Sequence, residues 1–186
     1  MHSRGFPPIA GRDARVLILG SLPGQESLRR RQYYAQPRNA FWPIMEVVCG
    51  AGPSLPYRAR TRRLAAAGLA LWDVCATAFR AGSLDASIEP GSIVVNDFGA
   101  FLAEHPRIRL VCFNGRTAAA LYRRRVLPGL SPAQAALATL ELPSTSPAHA
   151  ALPFDAKLAR WRAVGDALGS SGPARRRRAA YSAPRS

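Results

Sequence analysis

The chain has 186 residues, 48% of them hydrophobic, with 16 prolines and 15 glycines; that suits one loop-rich domain with a sizeable core and excludes a disordered polymer. Its net charge is +15, of which five charges fall in the acid-free segment 170–186, leaving +10 on residues 1–169. A surplus of that size suits a polyanion such as nucleic acid, although an arginine-rich, merely solvated surface produces the same number. Cys49, Cys75 and Cys112 lack the spacing of a metal site, and no apolar run reaches membrane-spanning length, so the sequence points to a metal-free, cytoplasmic protein with reduced thiols and no membrane contact.

Residues 1–13 are polar and contain Pro and Gly, and read as a lead-in. Arg15 to Gly20 is a short apolar run closed by glycine, which predicts a buried strand. Ala40 to Cys49 places Phe41, Ile44, Met45 and Val48 on one helical face, with Pro43 confined to the first turn. Thr61 to Ala67 reads as a helix and Leu69 to Val74 as the second strand. Asn96 is a candidate cap for a helix running to about His105. Ile108 to Phe113 is a third strand, Thr117 to Arg125 a helix with a basic end, and Ala138 to Leu142 a fourth strand. Asp155 to Leu168 is an amphipathic helix with Leu158, Trp161, Val164 and Leu168 as its inner stripe. Residues 170–186 read as a disordered basic tail behind a domain spanning 1–169.

Strands alternating with helices imply a mostly parallel sheet covered on both faces. Ligands in such sheets bind beyond the carboxyl ends of the strands. Three unusual segments fall there: Gly20-Ser-Leu-Pro-Gly24, Asn114-Gly-Arg116 and Leu142-Pro-Ser-Thr-Ser-Pro-Ala-His149. The first lets the backbone approach a ligand closely, or is an ordinary tight strand exit. It has neither phosphate-loop nor dinucleotide glycine spacing, so a nucleotide cofactor is disfavoured. A fourth segment, Gln32 to Trp42, packs four aromatics, amides and an arginine into a loop leading into a helix. Aromatics there can stack on a base while amides read its edge. Equally, Asn39 can be a helix N-cap and the rings a core plug.

Gly20-Ser-Leu-Pro-Gly24, Tyr33-Tyr-Ala-Gln-Pro-Arg-Asn-Ala-Phe-Trp42 and Leu142-Pro-Ser-Thr-Ser-Pro147, in that order, resemble the uracil-DNA glycosylase superfamily, and within it the hypoxanthine-DNA glycosylase family. Leu71-Trp-Asp-Val74, Gly82-Ser-Leu-Asp85 and Phe113-Asn-Gly115 extend the resemblance over about residues 13 to 168. It implies a three-layer α/β/α fold with a central four-stranded parallel sheet. It also implies a monofunctional, cofactor-free glycosylase that extrudes a deaminated base from double- or single-stranded DNA and hydrolyses its N-glycosidic bond with water. A monomer suits such clamping of DNA.

The resemblance assigns Asn39 as the residue whose side-chain carbonyl orients the attacking water, and Asn114 as a second catalytic or base-reading amide, although a turn asparagine fits there too. Tyr34 is the base-stacking ring or a core residue; Gly20, Ser21, Leu22 and Phe41 complete the base pocket. Ser144, Thr145 and Ser146 are expected on DNA phosphate. Arg116 and His149 are further DNA contacts, or a solvated arginine and a structural histidine. Two positions depart from the superfamily pattern. Leu22 and Leu142 stand where several branches carry polar residues, which favours hypoxanthine over efficient uracil excision. Three alternatives remain open: a uracil- or xanthine-preferring enzyme, a non-catalytic nucleic-acid binder, and a nucleotide-dependent enzyme for which Asp73 and Asp97 are the nearby acids.

Overall fold

The computed structural model describes residues 2–82 and 84–169; the basic tail expected at 170–186 lies outside them. In chain order it comprises β1 (His2–Arg4), β2 (Val16–Gly20), α1 (Gln25–Arg30), α2 (Phe41–Cys49), α3 (Tyr57–Ala66), β3 (Leu69–Asp73), β4 (Cys75–Phe79), β5 (Val94–Val95), α4 (Phe98–Glu104), β6 (Leu110–Asn114), α5 (Arg116–Leu121), α6 (Pro132–Ala135), β7 (Ala138–Leu142) and α7 (Phe154–Gly169). β3, β2, β6 and β7 form a four-stranded sheet in that order, every pair parallel. This is the sheet the apolar runs predict. β2 is buried at every position because it lies between two neighbours and beneath helices on both faces.

Alternation along β2 divides the core into two layers. Leu17 and Leu19 pack with Trp72, Phe98, Phe101 and Tyr122 on the α4–α5 side. Val16 and Ile18 pack with Phe41, Ile44, Leu64 and Trp161 on the α2–α3–α7 side. Each fully buried aliphatic or aromatic side chain contributes about 1.5–3 kcal/mol by leaving water. On α7, Trp161 and Val164 are buried, as expected, while Leu158 and Leu168 are half-buried; Lys157 is also turned inward.

Three expectations need correction. Residues 1–13 are not merely a lead-in: β1 pairs antiparallel with β4, and Ile9 bridges Leu71. The Trp72 indole donates to Phe6 O at 3.0 Å and the Tyr33 hydroxyl to Pro7 O at 3.2 Å. The polar composition of this stretch is compatible with pairing because an edge strand satisfies its backbone on one side only. A second sheet, β1–β4–β5, was therefore hidden in short, weakly patterned segments. The α4 cap is Asp97, which accepts from Ala100 N at 2.9 Å; Asn96 instead donates to Asp73 O at 2.8 Å. Finally, the helix expected to Arg125 leaves α geometry after Leu121 and continues as a π turn, Tyr122–Val126. The wider turn brings Tyr122 and Val126 both onto the core while Arg123, Arg124 and Arg125 stay exposed.

Candidate active site

The carboxyl ends of β2, β3, β6 and β7 open into a cleft of about 1110 Å³, and the segments singled out in the sequence converge on it. Tyr34 and Asn39 both line it, beside the Gly20–Gly24 turn and the Pro143–Pro147 loop. A direct bond, Ala40 N to Thr145 O at 3.0 Å, ties the aromatic loop to the latter. Tyr33 is buried, and its carbonyl accepts from the Trp42 indole at 2.9 Å. Tyr34 then adopts a left-handed backbone, φ 52°, a conformation costing a non-glycine residue about 1–3 kcal/mol and characteristic of functional turns. Its ring stacks on Phe41 with centroids 4.0 Å apart and an interplanar angle of 21°.

Phe41 itself is fully buried and does not line the cleft. The expectation that it touches a base is corrected: α2 turns it into the core, where it backs Tyr34. Asn39 is half-buried at the cleft wall, and its Oδ1 accepts from Phe41 N at 3.0 Å. The N-cap reading is corrected: Ala40 caps α2 without a side-chain bond, and Asn39, one residue earlier, accepts from the first helical N–H while lining the cleft. The bond fixes the amide orientation, and the oxygen keeps a second lone pair for another donor.

Asn114 closes β6 with its amide engaged in a two-bond pair with Thr145: Nδ2 donates to Oγ1 at 2.9 Å and Oδ1 accepts from Thr145 N at 2.8 Å. Its amide also stands next to the Tyr34 hydroxyl, which forms no hydrogen bond of acceptable geometry. Thr145 is only 1% exposed, so the expected phosphate contact through it is corrected to a brace. Gly115, at φ 98°, lets this loop come close: a Cβ there would lie 3.0 Å from Ser144 Cβ. The Trp161 indole holds the loop from below, donating to Pro143 O at 2.9 Å. Ser144 and Ser146 accept from Ser146 N and Ala148 N, each at 3.2 Å, and each hydroxyl retains its own proton to donate. Arg116 and His149 are exposed on the rim.

The Gly20–Gly24 turn is secured by a group the sequence reading missed. Arg80 is 1% exposed; its guanidinium donates to the carbonyls of Leu22, Pro23 and Gly82 and pairs with Asp85 at 3.6 Å. Ser21 donates to Asp85 Oδ1 at 2.7 Å, so its proton is committed to that carboxylate while the residue lines the cleft. Leu22 lines the cleft with an otherwise buried side chain, and Leu142 is buried at the end of β7. Gly20 is required by contact: a Cβ would collide with Asp73 Oδ1 and lie 3.1 Å from the Tyr34 hydroxyl.

Asp73, which the sequence offered only as an acid for a nucleotide-dependent enzyme, is a second residue whose place in the site was not expected. It ends β3 opposite Gly20, lines the cleft, and is almost wholly buried. Burial, with repulsion from Asp85 and a partial offset from Arg80, pushes its carboxyl up to about 7. Burial likewise raises Asp85, opposed by the Ser21 bond and Arg80. The available signal was an acid ending an apolar strand, in Leu71-Trp-Asp73. No group of three potential metal ligands occurs among the described residues, and Asp97 serves as a helix cap. No helix among them is long and apolar enough to cross a membrane.

The uracil DNA glycosylase superfamily model matches residues 7–164. A hypoxanthine DNA glycosylase from Methanosarcina acetivorans is 37% identical over 142 residues, covering 72% of this chain and 89% of that protein. Another from Methanosarcina barkeri is 38% identical over 117 residues, covering 62% and 73% respectively. A solution NMR structure from Methanosarcina acetivorans, described as that of a uracil DNA glycosylase, superimposes with a TM-score of 0.75 at 35% identity, over 91% of this chain and 99% of that one.

Proposed function

The chain belongs to the uracil DNA glycosylase superfamily, and from that premise we propose that it is a monofunctional DNA glycosylase that extrudes a deaminated nucleotide, foremost deoxyinosine, and hydrolyses its N-glycosidic bond. The observation that carries this reading is the cleft at the carboxyl edge of the sheet, walled by Tyr34, Asn39, the Asn114 strand end and two backbone-rich turns. A base held there must leave the helical stack, and Tyr34, backed by Phe41, is a rigid platform for its flat face.

The chemistry passes through an oxocarbenium-like sugar and a departing anionic base. Asn39 Oδ1, oriented by Phe41 N, accepts from the attacking water through its free lone pair. An amide is a weak base, but this transition state needs little proton abstraction. Asn114 braces the loop and offers its amide to the base. Ser144 and Ser146, with Arg116 and His149 on the rim, grip phosphates beside the lesion. The apolar Leu22 and Leu142 support hypoxanthine as the preferred base. The enzyme works as a cytoplasmic monomer through residues 1–169, with 170–186 as a basic tail.

The test is a panel of duplexes containing inosine, uracil or xanthine, incubated with the protein and then cleaved with alkali. Inosine is expected to yield abasic sites fastest. Asn39→Ala is expected to lower the rate by roughly 100-fold or more, while losing only about 1 kcal/mol of stability from the lost bond to Phe41 N. Full activity in that variant removes Asn39 from the chemistry. Salt-sensitive binding with no abasic sites on any duplex would instead identify a non-catalytic binder.

A further inference from the structure

The floor of the cleft holds a carboxyl group that the mechanism above does not use. Asp73 is 3% exposed, and its Oδ2 is fully buried without a hydrogen-bond partner. Three of the nearby donors are committed elsewhere, and the fourth, the Tyr34 hydroxyl near Gly20, makes no hydrogen bond to it. The Ser21 hydroxyl goes to Asp85, the Arg80 guanidinium goes to backbone carbonyls and Asp85, and the Asn96 amide goes to the Asp73 backbone. The group lies in contact with Gly20, whose lack of a side chain makes room for it. An ionised carboxylate left unpaired in such a place is strongly penalised; a neutral carboxyl offers one donor and one acceptor side by side.

That pair complements the lactam edge of a deaminated base, where a carbonyl oxygen adjoins a ring N–H. We propose that Asp73, in its neutral form, reads this edge, its O–H donating to the base carbonyl and its carbonyl oxygen accepting from the ring N–H. The proposal rests on the glycosylase reading and names the group in that site that recognises the base. As the glycosidic bond breaks, its electron pair passes to the base, and the Asp73 O–H stabilises the charge gathering on the base oxygen. Ionised Asp73 would present two acceptors and a like charge to the leaving group. The charged and titratable groups facing it are Asp85 after β4, Arg80 and Cys75 on the β4 side, and Tyr33 and Tyr34 in the aromatic loop.

The experiment measures single-turnover cleavage of an inosine duplex from pH 5 to 9 for the wild type, Asp73→Asn and Asp73→Ala, with circular dichroism confirming the fold of each. The wild-type rate is expected to fall about tenfold per pH unit on the alkaline side. Asp73→Asn keeps a donor and an acceptor without titrating, so it should stay within about tenfold of the wild type at neutral pH and lose the alkaline fall. Asp73→Ala should lose roughly 100-fold. An active wild type accompanied by an equally active Asp73→Ala, or by an Asp73→Asn with the wild-type alkaline fall, overturns the Asp73 proposal alone. A rate that rises through neutral pH and collapses in Asp73→Asn makes the ionised carboxylate the working form and overturns it too. A folded wild type that cleaves no deaminated base overturns the function reading itself, and this proposal with it.

Discussion

The two turns that wall the cleft are anchored by different physics. Gly20–Gly24 hangs on a buried cation: Arg80 binds its carbonyls, while Asp85 takes both Arg80 and Ser21, beside the unpaired Asp73. Pro143–Pro147 hangs on neutral groups: the Asn114–Thr145 pair, the Trp161 indole and Ala40 N. Neutral hydrogen bonds are worth about 1 kcal/mol each and are indifferent to pH. Buried charges carry desolvation costs and make their surroundings pH-dependent. One wall of the cleft can thus titrate while the other holds the geometry constant.

The most severe break in this contrast should come from Arg80→Leu. It strands the Leu22 and Pro23 carbonyls and leaves Asp85 uncompensated, so about 3–5 kcal/mol of stability should vanish in urea denaturation. A loss below about 1 kcal/mol would mean the turn is held by its own backbone.

Asp73→Asn should act in the opposite direction. In the unfolded chain the carboxyl ionises near its ordinary value of 3.8, in the fold only near 7. Between those values only the unfolded state sheds the proton, so wild-type stability falls as pH rises from about 4 to 7 and then levels off. Removing the group should flatten that slope and add on the order of 3 kcal/mol at pH 8, several degrees in Tm. Thermal melts across that range that keep the same slope in both proteins would assign the titration to another group.

On the neutral side, Asn114→Ala should cost about 2 kcal/mol, equally at pH 5 and pH 8, because both bonds to Thr145 disappear. The smallest effect is expected for Thr145→Val, which keeps the backbone N–H bond and removes only Oγ1, for about 1 kcal/mol. A pH-dependent loss in either variant would show that the second turn is also coupled to the buried charges.

The sequence by itself determined the central sheet and the location of the site. Runs such as Val16-Leu-Ile-Leu19 and Val111-Cys-Phe113 are apolar throughout because both faces of a parallel strand are covered. Since such strands end on one edge, Gly20, Asn114 and Pro143 had to gather there. The motifs carried the family, and Asn39 and Tyr34 with it. Only the tertiary structure decided which polar groups are spent on holding the walls and which are left over. Phe41 turned out to be a backing plate, Thr145 a brace, Ser21 a partner of Asp85, and Asp97 rather than Asn96 the cap. Arg80 and Asp73 gained their roles from the β2–β3 register and from the fold of β4 back over the turn. Burial of a charge depends on contacts between segments distant in sequence, as between Arg80 and Leu22, and no local periodicity records them.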